Sequence, residues 1–409
     1  MRLFLISLLV LAGCSRTLTS RGPLPHEVYV WQRQWTPAVH SGLERAAPVV
    51  ASFDVLIGEI GMRDGVVRTA LAQTDYAALA HARRPVALGL RIGTYSGPFT
   101  PESKPLVAAI ETLRAALAQA NAAGLRVTEL QIDFDCPSAR LAGYAAWLRE
   151  LRAAFPGKPL AITALPDWLK RKDFAALAAT AGRFVLQVHS VPGTHGAAPV
   201  LCDTVAARRA VVLAGRLGVP FRVALPTYSC ELLTDAAGHV KGVRAEEESI
   251  TQNEGHIVLR ANAPELAALV RDWEFSRPVT LVGVIWYRLP VDTDRFNWRW
   301  PTLAAIIAGK SPEPQGRLIF QPSGPGVEDA VLENTGDADW ALPTELALPK
   351  DTVAADGVNN FHLESNQVGP WTLHGTTGRI LPPGGRLICG WIRRDLHLPL
   401  PPPHEPTLH

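Results

Sequence analysis

The sequence predicts an α/β fold, a (β/α)8 TIM barrel followed by a small C-terminal β-sandwich domain. Short apolar strands alternate with amphipathic helices from residue 26 to residue 310, and this alternation is typical of a parallel sheet. Eight such units over roughly 280 residues fit the usual size of the barrel. A doubly wound sheet usually carries a Gly-rich phosphate-binding turn after its first strand, and no such turn is present here.

Eight apolar segments, each with polar or aromatic residues near its carboxyl end, are the predicted barrel strands. They are Glu27–Trp31, Phe53–Ile60, Pro85–Ile92, Val127–Phe134, Pro159–Ala164, Arg183–Val188, Phe221–Leu225 and Val279–Trp286. Apolar residues at helical spacing predict intervening helices. The clearest of these are Lys104–Ala123, Ser138–Phe155, Val205–Leu217 and Pro264–Phe275. After the seventh strand the unit is enlarged by residues 230–262, which include a predicted small hairpin around 235–238.

The pattern changes beyond a Pro-rich linker at residues 311–314. Short strands separated by Gly and Pro turns predict a β-sandwich accessory domain over residues 315–396. The predicted strands are Arg317–Gln321, Asp329–Glu333, Glu345–Leu348, Trp371–His374 and Gly385–Trp391. The last residues, 397–409, are Pro-rich and are predicted to be disordered.

The amino terminus has the organisation of a secretory signal. Arg2 precedes an apolar stretch that is too short to span a membrane, and residues 11–14 resemble the bacterial lipobox. The resemblance implies cleavage after residue 13, lipidation of Cys14 and an outer-membrane lipoprotein that faces the periplasm. The alternative is an ordinary cleaved signal in which Cys14 is incidental. Residues 14–25 are predicted to form a tether.

Composition excludes several functional classes. The chain has 40 Lys and Arg against 38 Asp and Glu, and no segment is strongly basic, so nucleic-acid binding is not expected. No CxxC pair occurs, and His189 and His195 are isolated, so we predict neither a metal site nor another cofactor. An exported chain permits disulfides, and the four cysteines beyond Cys14 allow three pairings, among which the sequence alone does not choose. Cys202 and Cys230 lie on neighbouring loops after the sixth and seventh strands, and we predict that they form a disulfide.

The fourth predicted strand carries the main candidate catalytic residues. Side chains alternate along a strand, so Gln131, Asp133 and Asp135 share the face that points to the barrel axis. The two acids lie about 7 Å apart at Cα, and two close carboxylates disfavour double ionisation. We therefore predict that Asp135 is an acid/base and that Asp133 is its electrostatic partner. The alternative is a helix cap and one buried, hydrogen-bonded acid.

Glycoside hydrolysis normally uses carboxyl groups on both sides of the scissile bond. A second carboxylate would come from another strand, and Glu59, Asp167 and Glu231 are the candidates. The other strand ends supply a mixture of aromatic and polar side chains that suits sugar binding, although for any single tryptophan core packing is the better explanation. The predicted substrate-binding residues are Trp31, Arg33, Trp35, Arg91, Gln131, Asp167, Trp168, Gln187, His189, Tyr228, Trp286 and Arg288.

Two resemblances bear on this site. Residues 132–135, Ile-Asp-Phe-Asp, resemble the fourth-strand motif of family 18 glycoside hydrolases, and Val284-Ile285-Trp286 resembles the strand that places their substrate-floor tryptophan. The chain departs from that family at Pro137, where those enzymes have their general-acid Glu. Over most of its length the chain is similar to an uncharacterised bacterial lipoprotein family with a Tyr-Val-Trp-Gln-Arg start, here residues 29–33.

Two functions follow as hypotheses. In the first, an envelope lipoprotein with a glycosidase-like barrel binds and hydrolyses a polysaccharide. In the second, the barrel is non-catalytic and binds glycan or acts as an envelope scaffold, which Pro137 favours. An enzyme requires a second carboxylate across the cleft from Asp135, whereas a binding module requires only the aromatic and polar rim.

Overall fold

The computed structural model describes residues 18–190, 200–235, 240–244, 255–364 and 371–394. Eight parallel strands follow one another around a sheet that closes when the first strand pairs with both the second and the eighth. These strands are β1 (His26–Val30), β2 (Ser52–Arg63), β3 (Val86–Ile92), β4 (Val127–Phe134), β5 (Leu160–Ala164), β6 (Phe184–Gln187), β7 (Phe221–Pro226) and β8 (Leu281–Tyr287). The predicted TIM barrel is confirmed.

Helices cover the outside of the barrel. They are α1 (Pro37–Ala46), α2 (Tyr76–His81), α3 (Lys104–Ala122), α4 (Leu141–Ala154), α5 (Lys172–Ala181), α6 (Thr204–Gly215), α7 (Ala263–Phe275) and α8 (Trp300–Ile307). In α3 the buried residues Leu106, Ala109 and Leu113 recur at helical spacing and face the strands. The predicted bounds of α3, α4, α6 and α7 agree with the structure to within a few residues.

Strand β2 is longer than predicted and continues beyond the barrel. Its last residues turn at Asp64 and Gly65, both at positive φ, and return as an antiparallel strand, Val66–Leu71. An Asp-Gly pair is well suited to a tight hairpin turn, because both central residues of that turn need positive φ. We call residues 58–71 the mouth hairpin, since they project from the carboxyl end of β2.

A second set of strands outside the barrel follows β7. Strands Ser229–Thr234 and Val240–Arg244 pair antiparallel, which confirms the predicted hairpin, although part of its turn lies outside the described residues. A third strand, Gly255–Arg260, pairs with Ser229–Thr234 on its other side. The enlarged unit is therefore a small three-stranded sheet at the carboxyl end of the barrel.

The C-terminal region forms antiparallel sheets around its own apolar core, which includes Leu332, Leu346 and Leu373. Four strands form the larger sheet: Gly316–Gly324, Val327–Asn334, Thr352–Gly357 and Arg386–Arg394. The smaller sheet has three strands: Glu345–Ala347, Phe361–Glu364 and Thr372–Gly375. Two further short strands, Trp340–Ala341 and Ile380–Leu381, pair with each other. An ion pair between Arg260 and Asp339, 3.6 Å long, connects this region to the barrel unit.

The predicted tether is partly packed. Thr19–Ser20 pairs with Arg277–Pro278, and Leu24 is buried in the barrel core. The predicted signal, the lipidation site Cys14, His195 and the Pro-rich tail lie outside the described residues. Within the described ranges, no helix has both the length and the apolar character needed to cross a membrane.

A buried ionic layer fills the amino-terminal end of the barrel interior. Arg222 of β7 donates to Glu27 of β1 at 2.6 Å and to Glu129 of β4. Burial opposes the charge of Arg222, but the two carboxylates outweigh this effect and raise its pKa. Asp54 of β2 lies nearby with both carboxylate oxygens unpartnered, and burial raises its pKa well above the ordinary range. Burial thus favours the neutral form of Asp54.

Candidate active site at the barrel mouth

Strand β4 has the predicted register. Leu130, Ile132 and Phe134 pack in the core between the sheet and the helices. Gln131 points to the barrel interior, where its side-chain amide donates to the Tyr29 hydroxyl at 2.6 Å. The face that carries Gln131 also carries Asp133, one level closer to the mouth.

Asp133 is fixed by two neighbouring strands. One carboxylate oxygen accepts from Arg91 of β3 at 2.6 Å, and the other accepts from the Thr163 hydroxyl of β5 at 2.8 Å. Asp133 is only 5% exposed. A donor at each oxygen holds the carboxylate in one orientation at the base of the mouth.

Asp135 follows the end of β4 and occupies the rim. Its side chain is 53% exposed, and one oxygen lies 3.6 Å from the Arg91 guanidinium. Burial of part of the carboxyl and the neighbouring Asp133 raise the pKa of Asp135, while Arg91 opposes the shift. The raised pKa favours the protonated form of Asp135, which is the form that a proton donor needs.

A cavity of about 220 Å³ opens at the carboxyl ends of the strands. Aromatic side chains form one part of its wall: the Tyr29 and Trp31 rings meet edge to face at 5.0 Å, and Trp31 and Tyr287 do so at 6.0 Å. The remaining wall is mostly polar. The lining residues are Tyr29, Trp31, Arg91, Asp133, Thr163, Gln187, His189, Ala224, Tyr228, Tyr287 and Arg288.

His189 presents an unpartnered polar atom in this wall. Its Nδ1 lies 3.4 Å from the Tyr228 hydroxyl, and its ring packs 5.6 Å from both the Tyr228 and Tyr287 rings. Burial lowers the pKa of His189 to about 3, so the imidazole is neutral. Its Nε2 is buried without a hydrogen-bond partner in the described structure. A ligand hydroxyl or amide would satisfy that nitrogen.

The position of the Trp31 ring depends on Gly89 of β3. A Cβ built at Gly89 would lie 2.9 Å from the Trp31 ring and 2.8 Å from the Asp54 carboxyl. Both distances are shorter than packed atoms allow. Glycine at this position leaves room for the indole against β3.

The structure brings together seven of the predicted site residues in the cavity wall. These are Trp31, Arg91, Asp133, Gln187, His189, Tyr228 and Arg288. Gln131 lies one level below, and Asp135 lies at the rim. In the described structure the cavity wall contains one carboxylate, that of Asp133, and no His, Cys, Asp or Glu group is arranged to hold a metal ion.

The other candidates lie elsewhere. Glu59 and Arg33 form an ion pair with each other at 2.9 Å, outside the cavity wall. Trp35 packs edge to face on His40, also outside it. Asp167 is exposed on the turn after β5, and Glu231 lies on the three-stranded sheet after β7. None of these three acids belongs to the cavity wall.

Two predicted substrate-binding tryptophans are in the core instead. Trp286 is fully buried, packs on Trp298, and donates from its indole nitrogen to the His26 ring at 3.0 Å. The next residue, Tyr287, points into the cavity, so the prediction chose the wrong face of β8 by one position. Trp168 is buried among Tyr144 and Phe174, on the helix side of the sheet.

Four lining residues were missed by sequence reasoning: Tyr29, Thr163, Ala224 and Tyr287. Tyr29 carries a usable signal, since it lies two positions before Trp31 and therefore on the same face of β1. Thr163 is the one polar residue of the apolar strand β5. Alternation along β5 and β8 would have found Thr163 and Tyr287 once their inward faces were known.

The predicted disulfide between Cys202 and Cys230 is not formed. All four described cysteines are free thiols. Cys230 belongs to a buried strand, where it is in register with Leu259, whereas the prediction placed it on a loop. Burial raises the pKa of Cys230 to about 11 and that of Cys202 to about 12, so both thiols are protonated.

Comparisons with known proteins place the chain in a family. The family model described as a domain of unknown function, DUF3142, matches residues 84–292, slightly more than half of the chain. The chain belongs to the DUF3142 family. This match confirms the resemblance to an uncharacterised family. A second domain of unknown function, DUF8456, matches residues 318–395, the C-terminal sheets. No curated protein matches the sequence.

One solved structure supports the DUF3142 barrel as a TIM barrel. The spore cortex-lytic enzyme SleL of Bacillus megaterium is similar at a TM-score of 0.50 and 13% identity, over 71% of this chain and 75% of that one. A chitinase from Chromobacterium violaceum is similar at a TM-score of 0.47 and 13% identity, over 70% of this chain and 98% of that one. At such identities the likeness concerns the fold.

Proposed function

We propose that the DUF3142 barrel binds a glycan, with one sugar ring in the cavity at the barrel mouth. The observation that carries the proposal is the composition of that cavity. The rings of Trp31 and Tyr287 offer apolar faces, while Arg91, Gln187 and His189 offer polar atoms around them. A pyranose ring has the same two-sided character, apolar on its C–H face and polar at its hydroxyl edge.

The position and the size of the cavity agree with this proposal. TIM barrels place their binding sites at the carboxyl ends of the strands, where this cavity opens. At about 220 Å³ it is smaller than the pockets that enclose drug-sized ligands, so it suits one ring of a longer chain. The unpartnered Nε2 of His189 adds a buried polar atom that a sugar hydroxyl or an acetamido group would satisfy.

We expect Trp31→Ala to weaken glycan binding by on the order of tenfold, because it removes the largest apolar face of the cavity. Trp31→Phe keeps a ring in place and should lose less. An array of bacterial exopolysaccharide and peptidoglycan-type oligosaccharides would identify a ligand, and calorimetry would then compare the variants. Trp35→Ala is the matched control, since Trp35 lies outside the cavity wall. Equal losses at positions 31 and 35 would contradict the assignment.

Hydrolysis of the bound glycan is the second candidate function. The raised pKa of Asp135 favours it, because a carboxyl that keeps its proton can protonate a leaving group. Pro137 and the single carboxylate of the cavity wall favour binding without catalysis. The non-catalytic barrel would serve as a glycan-binding or scaffold protein of the envelope.

We also propose that the protein is a lipoprotein of the outer membrane, faces the periplasm and is anchored through Cys14. Leu11-Ala12-Gly13-Cys14 after an apolar segment supports this proposal. We expect Cys14→Ser to move the protein from the membrane pellet to the soluble fraction, since lipid would be its anchor. Cell fractionation with Cys202→Ser as control tests it. A Cys14→Ser protein that stays in the pellet after a high-salt wash would refute the anchor.

A further inference from the structure

The mouth hairpin continues the inner face of the barrel wall. Glu59 is in register with Arg91, which lines the cavity, so the inner face of β2 runs through Glu59, Gly61 and Arg63. Residues directly opposite in an antiparallel pair share a face. Arg68 lies opposite Gly61 and Val66 lies opposite Arg63. Arg63 and Arg68 therefore stand on the surface that rises from the cavity.

The other face of the hairpin holds it in place. Ile60 is buried in the barrel core, and Val67 packs against that core. The hairpin also contacts α3 along this side. These contacts fix which face is turned toward the mouth, so the two arginines cannot exchange sides without exposing the apolar face.

The inner face of the hairpin is open and carries positive charge. A Cβ built at Gly61 meets no atom within 4 Å, so the surface of the hairpin beside Arg68 is not covered by other residues of the described structure. Arg68 is exposed and has no acidic partner among the described residues. Arg63 is 82% exposed, and its nearest acid, Asp64, lies 3.9 Å away at the turn. At the base of the hairpin, Arg33 pairs with Glu59.

We propose that the inner face of the mouth hairpin is a second subsite, which binds an anionic substituent of the glycan whose end occupies the cavity. The inference rests on the proposed function and adds the substrate class, an acidic polysaccharide. Guanidinium groups match carboxylate and phosphate oxygens in paired hydrogen bonds. Gly61 lies about 7 Å beyond Glu59 along the strand, so a chain leaving the cavity reaches Arg68 within a few sugar rings.

Binding of defined oligosaccharides to the full chain tests the subsite. The probes are an oligomer of a uronic acid, a neutral oligomer of the same length, and a phosphate-substituted oligomer. We expect the wild type to prefer an acidic probe and this preference to fall as salt is added. Arg68→Gln should weaken binding of the acidic probe about threefold, and Arg63→Gln with Arg68→Gln about tenfold, as expected for exposed ion pairs. Comparison of the uronic acid probe with the phosphate-substituted probe identifies which anion the hairpin binds.

The neutral probe separates this inference from the proposed function. It should bind all hairpin variants like the wild type and should lose affinity in Trp31→Ala. Arg216→Gln is the matched control, because Arg216 is an exposed arginine at the far end of α6. Equal affinity for acidic and neutral probes, unchanged in the double variant, would overturn the subsite and leave the cavity proposal intact. Absence of binding by every probe would overturn both.

Discussion

Replacing Arg222 by Met is expected to lower the free energy of unfolding by about 3–5 kcal/mol. Arg222 is the shared partner of Glu27 and Glu129 inside the barrel, and its side chain is only 10% exposed. Without it, Glu27 keeps no basic partner among the described residues and Glu129 keeps only the half-exposed Arg183, beside the buried Asp54. The Met side chain has similar length and adds no hydrogen-bond donor. The loss in the free energy of unfolding therefore reports the carboxylates that no longer have Arg222 as a partner.

Chemical denaturation followed by far-ultraviolet circular dichroism measures this loss. Arg183→Met is the matched control. Arg183 pairs with the same buried Glu129, but its own side chain is 51% exposed. Water screens and solvates this guanidinium, so its removal should cost less than the removal of Arg222. Adding Glu27→Gln and Glu129→Gln to Arg222→Met should restore part of the stability. A loss below that of Arg183→Met would show that the ionic layer does not stabilise the barrel.

The second large effect concerns catalysis. If the barrel hydrolyses its glycan, Asp135→Asn should lower turnover by a factor of roughly 100 or more, the usual scale for a lost general acid. Binding should change little, because Asn keeps the shape of the side chain. The raised pKa of Asp135 means that it stays protonated to higher pH than an ordinary Asp. Wild-type turnover should therefore fall as the pH rises through this pKa, and the Asn variant should lack that fall.

Reducing-sugar release over a range of pH, with the ligand found by the array, provides the measurement. Asp167→Asn is the control, since Asp167 is an exposed acid outside the cavity. Equal turnover in the wild type and in Asp135→Asn would remove Asp135 from the mechanism even if hydrolysis occurs. Wild-type protein that binds the glycan and releases no sugar would favour the non-catalytic barrel.

Local pattern predicted the barrel because its strands and helices bury complementary faces. Strand β4 is the clearest case: its bounds and its inward face agree with the structure, since Gln131 and Asp133 alternate with three large apolar residues. Strand β8 gave no such signal. Val284, Ile285, Trp286 and Tyr287 are all bulky, so alternation could not show which aromatic ring faces the cavity.

Long-range contacts account for most of the remaining errors. Glu59 and Arg33 were both candidates for the site, but they neutralise each other, and only the paired strands show that they meet. The mouth hairpin was missed, although its Asp64-Gly65 pair is a known turn signal. The unpartnered Nε2 of His189 depends on packing between β6, β7 and β8, which no local segment specifies.

Gly89 affects the shape of the cavity although it does not line it. This residue is absent from the cavity wall, yet a single added carbon would collide with the Trp31 ring and with Asp54. The position of the Trp31 ring, and with it one wall of the cavity, thus depends on a backbone position outside the lining. A comparison of barrels by their cavity-lining residues alone would overlook Gly89, although it limits where the Trp31 ring can lie.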